Sequence, residues 1–211
     1  MLNPGSDMKG RNEAIAIGNE DALIVVDVQR DFLPGGALAV PSGDAVIAPL
    51  NSCVESFSGA ARPVFYSRDW HPQNHCSFRE QGGPWPPHCI AGSRGAEFAA
   101  GLRIADGAVI LSKATRADRD AYSAFQGTDL AVQLRNAGVR RVFVCGLATD
   151  YCVRATVLEA RENGFEVTVV TDAVRAVDLH PGDGDRAFDE MRARGASLAR
   201  STELARDGES R

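Results

Sequence analysis

Short, continuous apolar runs alternate along the chain with longer stretches in which apolar residues return every three or four positions. Runs without a polar alternate read as strands buried on both faces, and their alternation with helical patterns reads as βαβ units of a parallel sheet. The pattern predicts strands near 22–27, 63–68, 107–112, 141–146, 166–171 and, less strongly marked, 196–200. It predicts helices over roughly 44–58, 128–137, 150–163 and 183–194. Gly43-Asp44, Thr128, and Thr149 or Asp150 stand where caps are needed, and Gly138 and Gly164 follow two of the helices as stop signals. Val153, Val157 and Ala160 share the helix face that should meet the sheet. One stretch breaks the alternation. Residues 69–106 are rich in Pro, Gly and His, with a short helix expected only near 94–100, and so long a loop in a compact domain is usually functional.

The apolar runs end on chemistry. Ala22-Leu23-Ile24-Val25-Val26 ends at Asp27, Val64-Phe65-Tyr66-Ser67-Arg68 at Asp69, and Val109-Ile110-Leu111-Ser112 at Lys113. Val142-Phe143-Val144-Cys145 leads through Gly146-Leu147-Ala148-Thr149-Asp150-Tyr151 to Cys152, at the start of a helical pattern. Ligands bind at the carboxyl ends of strands in open parallel sheets, so Asp27, Asp69, Lys113 and Cys152 read together as one site. A helix N-terminus favours thiolate over thiol and a nearby ammonium adds to this, so Cys152 is expected to have a lowered pKa. A carboxylate such as Asp27 can fix the lysine and carry the proton.

The long loop holds three of the four histidines, His71, His75 and His88. Singly, each is an ordinary loop residue; clustered around Asp69, they suggest an ion. Asp69 and His71 share a face if the segment is extended, and one carboxylate with two or three imidazoles suits zinc, iron or manganese with positions left for water or substrate. Of the other cysteines, Cys53 and Cys145 read as core residues, whereas Cys76 and Cys89 lie beside the candidate ligands and could serve a structural zinc. Asp172 reads as a helix or turn cap and His180 as a loop residue.

Composition narrows the field. In 211 residues, a net charge of −5 argues against a nucleic-acid or anionic-membrane partner. No apolar run approaches a membrane span, and the N-terminus lacks the order of a signal peptide. Five scattered cysteines without paired spacing suit reduced thiols in a cytoplasmic protein. Residues 1–20 read as a loose arm, 21–200 as one domain and 201–211 as a tail.

Several ordered segments carry a further signal. They are Val26-Asp27-Val28-Gln29-Arg30-Asp31-Phe32-Leu33-Pro34-Gly35-Gly36-Ala37-Leu38, Arg68-Asp69-Trp70-His71-Pro72-Gln73-Asn74-His75-Cys76-Ser77-Phe78, and Trp85-Pro86-Pro87-His88-Cys89-Ile90-Ala91-Gly92 with its continuation to Phe98. Lys113-Ala114-Thr115-Arg116, Tyr122-Ser123-Ala124-Phe125 and the cysteine segment 146–153 follow. From about residue 20 to 200 the chain resembles the nicotinamidase/pyrazinamidase branch of the isochorismatase-like cysteine hydrolases. The resemblance implies an α/β three-layer sandwich, with a six-stranded parallel sheet and helices on both faces. It implies a catalytic triad of Asp27, Lys113 and Cys152, and metal ligands Asp69, His71 and His88, with His75 at a position that ligates in some members only. It also implies a cis peptide at Leu147–Ala148, an oxyanion hole from the Ala148 and Cys152 amides, and a substrate pocket lined by Phe32, Trp85 and Tyr122. Ala114 departs from the pattern, since a glycine usually follows the lysine; the change bears on backbone freedom rather than on chemistry.

The expected activity is hydrolysis of nicotinamide, and of pyrazinamide, through a thioester, in NAD salvage. One divalent ion is the expected cofactor, zinc first, then iron or manganese. The expected partner is the small-molecule substrate, with a homo-oligomer possible. Two rivals stay open at this point: a related cysteine hydrolase of another amide, carbamoyl or vinyl-ether substrate, and a non-catalytic domain with a structural zinc.

Overall fold

The computed structural model describes residues 14–206; the outer part of the expected arm, 1–13, and the end of the expected tail, 207–211, lie outside the described residues. Six parallel strands form the main sheet: β2 (Asp21–Val26), β3 (Val64–Asp69), β4 (Val109–Lys113), β5 (Arg141–Leu147), β6 (Glu166–Arg175) and β7 (Ser197–Ala199), in the order β4-β3-β2-β5-β6-β7. Two further strands, β1 (Ile15–Ile17) and β8 (Leu204–Arg206), pair in parallel with each other.

Every residue of β2 is buried, because both faces of the sheet are covered. Leu23 and Val25 point to one side, where Leu50, Cys53, Val54 and Phe57 of α1 (Ile47–Gly59) meet them. Ala22, Ile24 and Val26 point to the other. There they join Leu130 and Leu134 of α2 (Leu130–Asn136), Val157 and Ala160 of α3 (Arg154–Glu162), and Ala187 and Met191 of α4 (Asp183–Ala193). Each fully buried aliphatic side chain stabilises the fold by about 1.5–3 kcal/mol through water exclusion. The layered architecture is the one expected from the sequence. Among the described residues no helix is long and apolar enough to cross a membrane.

The strand order reverses between β2 and β5, which is where open α/β sheets form a ligand crevice. Gly146 makes the close approach at this point possible: any Cβ there would run into the backbone of Val26. It also lies in a register irregularity between β5 and β6.

Local details differ from the sequence reading. Gly43-Asp44 open a 3-10 turn (Gly43–Val46) that runs into α1 without a side-chain cap. Thr149 and Asp150 belong to a π-helical turn (Thr149–Val153) ahead of α3, and the Asp150 carboxylate instead accepts the Val177 and Asp178 N–H groups at 2.9 Å each. Thr128 accepts the Leu130 N–H at 3.3 Å at the head of α2. The helix expected near 94–100 does not form. Its backbone groups pair with the 28–31 strip instead: Arg30 N–H donates to Glu97, Asp31 N–H to Gly95, and Ala99 N–H to Val28. Asp172 caps a turn, accepting both the N–H and the hydroxyl of Ser201 at 2.8 Å, and His180 is an exposed loop residue.

Candidate active site

Lys113 is 1% exposed and its ammonium is enclosed by four groups. Nζ lies 2.5 Å from Asp69 Oδ1, 3.0 Å from Asp27 Oδ2, 3.0 Å from the Ala121 carbonyl and 3.6 Å from Cys152 Sγ. Four chain segments thus deliver Asp27, Asp69, Lys113 and Cys152 to one point. The two carboxylates raise the lysine well above its ordinary value against the opposing effect of burial, so it is a permanent cation.

Asp27 follows β2 in the left-handed region, at φ 48°. Its Oδ1 accepts the Ser67 hydroxyl at 2.7 Å, while buried Oδ2 faces Lys113 without accepting a well-directed hydrogen bond. Burial pushes the carboxyl up to about 6 even though Lys113 opposes it. That value suits a base near neutral pH. For Asp69 burial acts upward too, but Lys113, His71 and His88 together outweigh it, and the carboxyl lies below the usual range.

Cys152 departs from the expected lowering. Burial pushes its thiol well above the ordinary value, and Asp27 and Asp69 add to the rise against Lys113. The favourable helix end and the Lys113 ammonium are outweighed: a thiol 7% exposed beside two carboxylates answers to desolvation and like charge first. Ligand atoms of Asp27, Asp69 and Cys152 all lie within 4.8 Å of one another, so the proton has a short path to carboxylate. The peptide Leu147–Ala148 is cis.

Asp69, His71 and His88 form a second group, their ligand atoms within 4.8 Å of one another and all three residues buried. Burial lowers His71 to about 4 against the pull of Asp69, and lowers His88 likewise against the Pro86 carbonyl, so both imidazoles are neutral at pH 7. His71 Nδ1 is 3.0 Å from the His88 carbonyl and His88 Nδ1 2.8 Å from the Pro86 carbonyl. Carbonyl oxygens only accept, so each Nδ1 carries the proton and each Nε2 keeps a lone pair, as in metal-binding histidines. The donor set fits a divalent ion. His75 packs on the His71 ring at 4.3 Å and belongs to a further grouping with His71 and Asp120; its own nitrogens meet the Ser77 hydroxyl at 2.8 Å and the Arg119 carbonyl at 3.1 Å. Cys89 is buried, with its thiol pushed far up by burial.

A slot of about 50 Å³ reaches members of both groups, Asp69, His88 and Cys152, and also Ala148. Phe32, Trp85 and Tyr122 line it, together with Leu38, Val40, Leu147, Tyr151 and Val177. Trp85 Nε1–H donates to the Tyr122 hydroxyl at 3.0 Å, and its ring meets Tyr151 edge-on at 5.2 Å. Flat apolar walls with convergent polar groups suit a small aromatic carboxamide. Ser67, the Ala121 carbonyl and Tyr151 escaped the sequence reading. Only Tyr151, next to the cysteine, carried a local signal.

The isochorismatase domain model matches residues 21–203. The chain belongs to the isochorismatase family. Among its relatives in that family, the nicotinamidase of Escherichia coli K12 is 40% identical over 198 residues, covering 84% of this chain and 93% of that one. The pyrazinamidase of Pyrococcus horikoshii, solved in complex with zinc, is 52% identical with a TM-score of 0.83, covering 86% of this chain and 99% of its own. PnC1 from L. infantum, solved in complex with nicotinate, is 38% identical with a TM-score of 0.85, covering 92% and 100%.

Proposed function

We propose that this chain is a metal-dependent nicotinamidase that also hydrolyses pyrazinamide. The observation that carries the reading is the meeting of Asp27, Lys113 and Cys152 beside an aromatic slot that also reaches Asp69 and His88 of the Asp69–His71–His88 group. Identities of 40% and 52% to relatives named for these activities support the substrate class.

Cys152 Sγ bonds to the carboxamide carbon as its proton passes to Asp27, and the carbonyl electron pair moves onto oxygen. The Ala148 and Cys152 N–H groups stabilise that oxyanion, each contributing about 3–4 kcal/mol. Lys113 holds the Asp27 carboxylate in place and balances negative charge on sulfur. Asp27 then returns the proton to nitrogen, the C–N bond breaks, and ammonia leaves a thioester on Cys152. Water adds to the thioester as Asp27 takes its proton, and collapse gives nicotinic acid and the thiol. Asp69, His71 and His88 would hold the divalent ion, which when bound supplies a Lewis-acid anchor for the pyridine nitrogen. Phe32, Trp85 and Tyr122 sandwich the ring.

Purified protein with measured zinc content should release ammonia from nicotinamide in equal amount to nicotinic acid. Zinc-loaded protein that releases no more than the Cys152→Ala variant would overturn the reading.

A further inference from the structure

Gln29 lies two residues beyond Asp27 with no exposed surface, and neither polar group of the slot uses it. Its amide is nonetheless fully engaged. Nε2 donates to the Asp69 carbonyl at 2.8 Å and to the Ala96 carbonyl at 3.0 Å, while Oε1 accepts the Asp69 N–H at 2.8 Å. One side chain therefore meets both backbone groups of a single residue, as a neighbouring strand would.

The sheet explains why a side chain is needed there. The last register pair of β2 with β3 is Val26 with Ser67. At Asp27 the backbone turns into the left-handed region, so β2 has no further rung to offer. On its other edge, Asp69 is still held by β4 as the register partner of Lys113. The Gln29 amide takes the place of the missing strand on the open edge. Its third bond, to Ala96, ties this point to the strip in which Asp31 N–H donates to Gly95 and Ala99 N–H to Val28.

We propose that Gln29 is a positioning residue for Asp69: its amide fixes the Asp69 backbone so that the carboxylate faces Lys113 on one side and the His71–His88 pair on the other. What that placement does for catalysis rests on the metal-dependent reading above; the contact itself does not. Glutamine suits the task by chemistry. Methionine keeps the length but leaves the Asp69 N–H and two carbonyls unpaired, and glutamate sets acceptor oxygens against those carbonyls.

The test compares Gln29→Met and Gln29→Glu with Val54→Ala, a buried α1 residue that lines neither the slot nor the ligand group. Zinc affinity is measured by competition with a chromophoric chelator, and crystal structures are solved without metal. Both Gln29 variants should bind zinc about 10–100-fold more weakly, as loss of a ligand's supporting hydrogen bonds typically does, with Val54→Ala close to the parent. Asp69 Oδ1 should withdraw from Lys113 Nζ by on the order of 1 Å. Zinc held as tightly as by Val54→Ala, with the Asp69–Lys113 contact intact, would overturn the proposal. If Gln29→Met does not fold, Gln29→Glu, which keeps an acceptor for the Asp69 N–H, decides. Should the parent itself bind no zinc, the metal reading fails separately, and Gln29 stands or falls on whether the variants keep the Asp69–Lys113 contact.

Discussion

Asp69 and Lys113 are register partners at the end of the β3–β4 pairing, and their side chains close on each other at 2.5 Å inside the protein. Asp69 thus belongs both to the cysteine's cluster and to the histidine group. Replacing Lys113 with methionine leaves two buried carboxylates without their cation, a change expected to destabilise by about 3–5 kcal/mol. The Cys152 thiol, which Lys113 now restrains, should rise further. Denaturant unfolding and cysteine alkylation against pH read the two effects. An unmoved alkylation profile would show that Lys113 does not act on the thiol.

Activity should depend on Asp27 being ionised. Burial raises it to about 6 with Lys113 opposing, so kcat/KM for nicotinamide should fall as pH drops through about 6, because protonated Asp27 cannot accept the thiol proton. The linkage to folding has the opposite sense. A carboxyl raised from 3.8 to about 6 binds its proton more readily in the folded state, so its stabilising contribution is complete below 3.8 and is lost as pH rises through about 6. A kcat/KM flat from pH 7 down to 5 would exclude Asp27 as the base.

Ala114 occupies the left-handed region at φ 52°, which accounts for the glycine expected after the lysine. Ala114→Gly should relieve about 1 kcal/mol of backbone strain and raise Tm by roughly 2–4 °C. Calorimetry checks this, and a Tm at or below the parent's would refute it.

Removing the metal should abolish turnover while leaving the circular dichroism nearly unchanged, since Asp69, His71 and His88 lie outside both apolar layers that hold the strands. Loss of fold on chelation would favour a structural zinc. Benzamide keeps the scissile bond but lacks the ring nitrogen, and should be very poor beside nicotinamide and pyrazinamide. Comparable kcat/KM for benzamide and nicotinamide would sink the anchoring role while leaving the cysteine amidase in place.

Cys152→Ala should lose turnover yet still bind zinc, because the thiol is outside the Asp69–His71–His88 group. Cys53 and Cys145 are core thiols: burial pushes Cys53 up to about 12, and the Cys145 sulfur lies 3.6 Å from the Ile24 carbonyl. Alanine at either should cost roughly 1–2 kcal/mol of stability and little activity, as read from unfolding midpoints and ammonia release.

The layers were legible because two-sided burial writes itself as uninterrupted apolar runs such as Ala22 to Val26, and the ends of those runs named Asp27, Asp69 and Lys113. Contacts between distant segments were not. Residues 94–100 have a plausible helical composition, but nothing local says that Glu97, Gly95 and Ala99 pair with the 28–31 strip. Ile15–Ile17 and Leu204–Arg206 are too short to show periodicity and gain strand form only from each other. The Cys152 thiol is opaque for a related reason: its helix end is visible in sequence, whereas its burial beside two carboxylates exists only after folding.

That burial bears on how the protein survives between turnovers. Oxidants attack cysteines that are exposed and ionised, and they leave sulfinic and sulfonic acids that destroy a nucleophile. Cys152 is 7% exposed and burial holds its thiol in the neutral form. The burial that holds its thiol neutral in the empty site is expected to slow its reaction with peroxide as well.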